Sequence, residues 1–135
     1  DKVVYLSDYA HHPEEIRQSI LSMRALYQDK KITAVFQPHL YTRTRDFYQE
    51  FADSLSLLDE VILTDIYPAR ELPIEGVSSE LIYNHLRAGI EKTLCTKEEV
   101  LDVLRNKHIE VLITLGAGDI ENYASNICEI LKEKC

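Results

Sequence analysis

No apolar run in the 135-residue sequence approaches the roughly 18–20 residues that span a membrane, and no signal peptide is visible at its start. A surplus of positive charge is also missing. Lys and Arg total 15 against 23 Asp and Glu, a formal net charge of −8. That balance argues against a general nucleic-acid or anionic-membrane binder, which needs a cationic face. The three cysteines, Cys95, Cys128 and Cys135, are odd in number and show no CxxC spacing, so neither a zinc site nor a disulfide framework follows. Cys128 falls on an apolar helical stripe and reads as a small core residue. A reducing cytoplasm is the expected compartment. Repeats and low-complexity stretches are absent. What is present suits a folded chain: 45% hydrophobic and 28% charged residues, in the length of one domain. The opening Asp1-Lys2-Val3 leads directly into strand-like sequence, as expected of a piece of something longer.

Short β-rich runs alternate with segments of helical period. Val3-Val4-Tyr5-Leu6 reads as a first strand. Pro13 suits the first turn of a helix, and Glu14 and Glu15 favour the positive end of its dipole. Ile16, Ile20, Met23 and Tyr27 then form one apolar stripe. Ile32-Thr33-Ala34-Val35-Phe36 is a second strand. Phe47, Phe51, Leu55 and Leu58 mark a second helix, and Val61-Ile62-Leu63 a third strand. Leu81, Ile82, His85 and Leu86 fit a third helix, and Thr93-Leu94-Cys95 a short strand. Thr96-Lys97-Glu98-Glu99 matches a capping box for a fourth helix that runs to about Asn106. Val111-Leu112-Ile113-Thr114-Leu115 is continuous apolar sequence, as in a strand buried on both faces. Ile120, Tyr123, Ile127 and Leu131 stripe a last helix, which ends in Lys132 and Lys134. Such alternation implies right-handed crossovers. The expected fold is therefore one three-layer α/β domain over residues 1–135, a mostly parallel, Rossmann-like sheet with helices on both faces.

Ligands of such sheets bind beyond the carboxyl ends of the strands. The segments leaving those ends are 7–13, 37–45, 65–71 and 115–119. His11, His12 and His39, three of the five histidines, fall in the first two, with Arg43, Arg45 and Arg70 beside them. A guanidinium matches a carboxylate or phosphate in two-point geometry, so this edge reads as built for a small anion. Each feature also has a purely structural explanation. His11-His12 can cap the first helix, and Arg43 and Arg45 can pair with Asp46 and Glu50. Gly116 and Gly118 can simply allow a tight turn, with Asp119 as a helix cap. The Gly116-Ala117-Gly118-Asp119 stretch lacks the third glycine of GxGxxG and has no Lys-Ser or Lys-Thr, so it is no triphosphate P-loop. A metal-binding reading of His11, His12 and His39 matches no ligand spacing; no metal site is expected.

As an ordered set, four segments closely resemble the C-terminal domain of the Mur amino-acid ligases. They are Asp8-Tyr9-Ala10-His11-His12-Pro13; Phe36-Gln37-Pro38-His39 through Tyr41-Thr42-Arg43-Thr44; Tyr67-Pro68-Ala69-Arg70-Glu71; and Leu115-Gly116-Ala117-Gly118-Asp119-Ile120. The resemblance covers essentially the whole chain and is nearest to the branch that adds L-alanine. It implies a bacterial cytoplasmic enzyme of peptidoglycan synthesis that uses ATP and Mg²⁺. The family activates the carboxylate of UDP-N-acetylmuramate as an acyl phosphate, which the amine of L-alanine attacks. An N-terminal UDP-sugar domain and a central ATPase domain, both missing here, would complete the enzyme, the latter in direct contact with this domain. The isolated domain is expected to be inactive.

Carried over by position, the resemblance makes Arg43 the holder of the alanine carboxylate, with Tyr9, His11 and His39 around the reacting centre. Either His11 or His39 would take the ammonium proton. Asp8 would face the nucleotide or the domain interface, as would Arg70, Gly116 and Asp119. Two departures stand out: Leu40 where many relatives have Arg, and Ser7-Asp8 where many have Asp-Asp. The alternatives are the sister enzyme that recycles murein tripeptide, and a free-standing module for a small anion or nucleotide.

Overall fold

The chain folds around five short strands: β1 (Val4–Asp8), β2 (Ile32–Phe36), β3 (Glu60–Leu63), β4 (Glu91–Leu94) and β5 (Val111–Leu115). The structure, a computed structural model, describes residues 3–133. The strands pair in the order β1-β5-β2-β3-β4, every pair parallel. The helices are α1 (Pro13–Leu26), α2 (Tyr41–Leu55), α3 (Glu80–Tyr83), α4 (Val100–Arg105) and α5 (Ala124–Glu133), with 3-10 turns at Lys97–Glu99 and Asp119–Tyr123.

Alternate residues of a strand point to opposite faces. On one face Ala34, Phe36, Val61 and Leu63 pack against Ile16 and Ile20 of α1, Phe51 and Leu55 of α2, and Ile82. On the other, Val35, Ile62 and Leu112 meet Val100 and Leu104 of α4 and Ile127 and Leu131 of α5. β2 and β5 are buried at all five positions, as the continuous apolar runs require of central strands. The three-layer α/β fold expected from the sequence is thus the observed one, with its sheet wholly parallel among the described residues.

Several boundaries differ. β1 extends to Asp8, and β4 begins at Glu91 and ends before Cys95. α3 is a single turn. The last helical segment opens as a 3-10 turn before α5, and Lys134 and Cys135 lie outside the described residues. α2 starts at Tyr41, so Arg43 and Arg45 stand on its first turns and not in a loop. Phe47 is not on the buried stripe. The helix breaks there (φ −128°, ψ 16°), which shifts the phase between its halves: Phe47 is 42% exposed, whereas Thr44 is buried and returns its hydroxyl to the Leu40 carbonyl at 2.9 Å.

The amino ends of the strands are held by a buried carboxylate. Glu60, fully buried at the start of β3, pairs with Lys31 at 3.1 Å and Lys107 at 2.7 Å, and Lys31 reaches on to Glu91 at 3.2 Å. Burial alone pushes the Glu60 carboxyl up, but the hydrogen bonds and charges of Lys107 and Lys31 outweigh it and hold the group below its ordinary value. A group depressed in the folded state stabilises above its unfolded pKa and loses that contribution as pH falls through the folded value. We expect Glu60→Ala to cost about 3 kcal/mol in urea unfolding at neutral pH, since it leaves two ammonium groups without their shared partner. The deficit should shrink in acid, where the wild-type carboxyl is protonated.

Candidate functional site

Parallel pairing sends every strand's carboxyl end to one edge of the sheet, where the chemistry-bearing loops gather. The loop after β1 is folded by carboxylates of the chain. Asp8 accepts the Ala10 N–H on Oδ1 at 2.9 Å and the Ser19 hydroxyl on Oδ2 at 2.5 Å. Glu15 accepts the N–H groups of His11 and His12, both at 3.2 Å. His11 is thereby set beside the exposed Tyr9, with His12 behind it.

Two imidazoles face each other there: the His11 and His39 rings lie 6.0 Å apart, edge to face. Their hydrogen bonds fix opposite tautomers. His11 Nδ1 lies 3.0 Å from the Tyr9 carbonyl, which can only accept, so Nδ1 carries the proton and, in the neutral ring, Nε2 the lone pair. His39 Nδ1 lies 3.0 Å from the Arg43 guanidinium, which can only donate, so Nδ1 carries the lone pair and Nε2 the proton in the neutral ring. Burial chiefly, then the Arg43 and His11 charges, lower the His39 pKa below that of a free imidazole. His39 also stacks on Tyr67 at 5.7 Å.

The exits of β2 and β3 are zipped together. Tyr67 donates its N–H to the Pro38 carbonyl at 2.8 Å and accepts the Leu40 N–H at 2.9 Å. Ala69 and Arg70 follow in left-handed conformations, φ 46° and 79°, and Arg70 is exposed. Glu71 then folds back onto the start of α2.

The glycine loop after β5 is filled by the protein itself. A Cβ on Gly118 would lie 2.5 Å from Gln37 Oε1 and 2.6 Å from the Tyr67 ring, and one on Gly116 (φ 145°) 2.9 Å from the Gln37 carbonyl. Asp119 does not cap the final helical segment. Its carboxylate accepts Gln37 Nε2 at 2.6 Å and pairs with Lys97. Burial raises the Asp119 pKa, but Lys97 and Gln37 more than offset it, leaving the group low. Arg45 pairs with its sequence neighbour Asp46 at 2.9 Å, one of the two carboxylates the sequence offered, whereas Arg43 turns to His39.

The structure thus brings Tyr9, His11, His39 and Arg43 together, and sets Asp8, Arg70, Gly116 and Asp119 along the same edge. Sequence reasoning missed Gln37, Tyr67, Lys97 and Glu71 as organisers of that edge. Gln37, Tyr67 and Glu71 stood inside the four motif segments, but only the close approach of the glycine loop and the fold-back of residue 71 onto α2 show what they hold. Among the described residues no group of three or more His, Cys, Asp or Glu converges as metal ligands.

Residues 1–120 match the family model described as Mur ligase, glutamate ligase domain. The chain belongs to this family of Mur ligase C-terminal domains. A UDP-N-acetylmuramate–L-alanine ligase of Phocaeicola vulgatus is 78% identical over 99% of the chain and 29% of that protein. The crystal structure of UDP-N-acetylmuramate-alanine ligase from Thermotoga maritima superposes with a TM-score of 0.75 at 27% identity, covering 97% of this chain and 27% of that one. A murein peptide ligase from Psychrobacter arcticus (TM-score 0.72, 16% identity, 94% of this chain and 27% of that one) shares the fold. This Mur ligase domain spans less than a third of the length of those relatives. No helix among its described residues is long and apolar enough to cross a membrane.

Two outcomes follow. In NMR titrations His39 should titrate below a free imidazole, and Arg43→Ala should raise its midpoint by removing a neighbouring positive charge. Gly118→Ala should lower stability by about 2 kcal/mol in thermal unfolding, because the methyl group overlaps Gln37 and Tyr67.

Proposed function

We propose that this chain is the amino-acid-binding domain of a bacterial, cytoplasmic, ATP-dependent ligase that joins L-alanine to UDP-N-acetylmuramate. The observation that carries the reading is the triad of Arg43, His39 and His11, in which the guanidinium is held in place and one imidazole keeps an accessible lone pair. The names of the relatives support the same substrates.

The roles follow from hydrogen-bonding capacity. Arg43 spends one N–H on His39 and keeps donors for the α-carboxylate of alanine. His39, its Nδ1 turned to Arg43 and its basicity lowered by burial and by that charge, aligns the guanidinium. His11, whose Nδ1 is held by the Tyr9 carbonyl, presents Nε2 as the base that takes the ammonium proton. The freed amine attacks the carbonyl carbon of the muramate acyl phosphate, and the tetrahedral adduct expels inorganic phosphate as the amide forms. Tyr9, 59% exposed, packs over the amino acid. Arg70, exposed at the same edge, meets the nucleotide or the central domain, while Asp8, Gly116 and Asp119 shape the edge through their internal contacts.

ATP and Mg²⁺ are the reaction's further requirements. The described residues do not fit them on their own: among them no three carboxylate, imidazole or thiol groups converge, and Gln37 and Tyr67 occupy the space against Gly118 that a phosphate cradle would need. Their binding falls to the central domain, and this domain alone should be inactive.

The test is ATP-dependent phosphate release by the full-length protein given UDP-N-acetylmuramate with L-alanine, or with murein tripeptide. Alanine-dependent turnover supports the proposal, and turnover with tripeptide only would assign the recycling ligase instead. In the same assay Arg43→Ala should raise the alanine KM roughly 30- to 1000-fold, the cost of a lost charge-assisted bidentate contact, with little change in the ATP KM. An unchanged alanine dependence overturns the role of Arg43.

A further inference from the structure

Helix α2 begins without a cap of its own. Leu40, the residue before it, is apolar, sits at φ 74° and offers no side-chain acceptor, so the first N–H groups of the helix lack a local partner. Glu71 supplies one from 30 residues downstream. Its Oε1 accepts the N–H of Tyr41 at 2.6 Å and of Thr42 at 3.1 Å, and its Oε2 accepts the Thr42 hydroxyl at 2.6 Å. The turn that delivers it holds Ala69 and Arg70 in left-handed conformations, which L-residues adopt at a cost and which cluster at functional positions. Leu40 shares the positive φ, at 74°, directly across the Tyr67 zipper. Three strained residues therefore surround a single carboxylate. That carboxylate is ionised: the Thr42 hydroxyl first, then the two N–H groups and Arg45, keep its pKa below the ordinary value.

Arg43 follows Thr42 directly. A carboxylate that pins residues 41 and 42 therefore fixes the helical turn from which the guanidinium reaches His39. The same carboxylate occupies the positive end of α2, which is otherwise the natural dock for a substrate carboxylate on this edge. We infer that Glu71 is a positioning residue for amino-acid recognition: it sets Arg43 through the start of α2, and by filling the helix end it reserves the α-carboxylate for that guanidinium. This rests on the alanine-ligase reading above.

The test uses the full-length enzyme. Glu71→Ala should raise the alanine KM roughly tenfold, with kcat and the ATP KM held within about twofold. Glu71→Gln, which retains an oxygen for the Tyr41 and Thr42 N–H groups, should recover most of the loss. Added to Arg43→Ala, Glu71→Ala should raise the alanine KM no further, since both act through one contact. An unchanged alanine KM in Glu71→Ala, or additive effects of the two substitutions, overturns the inference while leaving the ligase reading intact. A parallel loss of ATP affinity or a large fall in Tm also overturns it, reducing Glu71 to a general strut. A wild-type enzyme with no alanine-dependent turnover overturns both.

Discussion

Gln37 is the joint on which the working edge turns. It leaves β2 as a buried residue, 1% exposed, and every polar group of its side chain is used. Its amide nitrogen donates to Asp119, its amide oxygen accepts the Ile120 N–H at 2.9 Å, and its backbone N–H reaches Leu115 at 3.1 Å. A buried amide left unsatisfied costs about 1–3 kcal/mol, so the exits of β2 and β5 are locked in register. From that joint the order spreads outward. Gly118 packs on the Gln37 amide, Tyr67 packs on Gly118, and Tyr67 in turn zips onto Pro38 and Leu40 and stacks on His39.

Electrostatics work by placement on this acidic chain. The net charge of −8 is distributed so that carboxylates organise the edge from within: Asp8 and Glu15 fold the first loop, Glu71 caps α2, and Asp119 holds Lys97. The cation and the imidazoles are what they leave facing outward. Because a carbonyl can only accept and a guanidinium can only donate, the two histidines are forced into complementary tautomers, and identical side chains acquire different roles.

Much of the fold was legible in the order of the residues. Strands β2 and β5 announce themselves as unbroken aliphatic runs, because a strand covered on both faces has no polar alternation to display. The apolar spacing of α1 is equally plain. The start of α2 was not, since Tyr41, Thr42 and Arg43 carry no apolar period, and the helix begins there only because Glu71 caps it from a distant loop. Phe47 misled for a related reason: periodicity assumes one continuous helix, and the break at that residue turns its ring outward.

The same division holds for the site. The sequence by itself determined the α/β class, the four loop segments and the residues of the cluster, because hydrophobic period and motif spacing are local properties of the chain. Only the tertiary structure decided which nitrogen of each histidine is available, what fills the glycine loop, and that Glu71 supports Arg43. The filling of the glycine loop and the support from Glu71 depend on contacts between residues 29 to 83 positions apart, which exist only once parallel pairing has carried the strand ends to one edge. The histidine bonds span only two and four residues, but their geometry is set by how the folded loop and helix start present those groups.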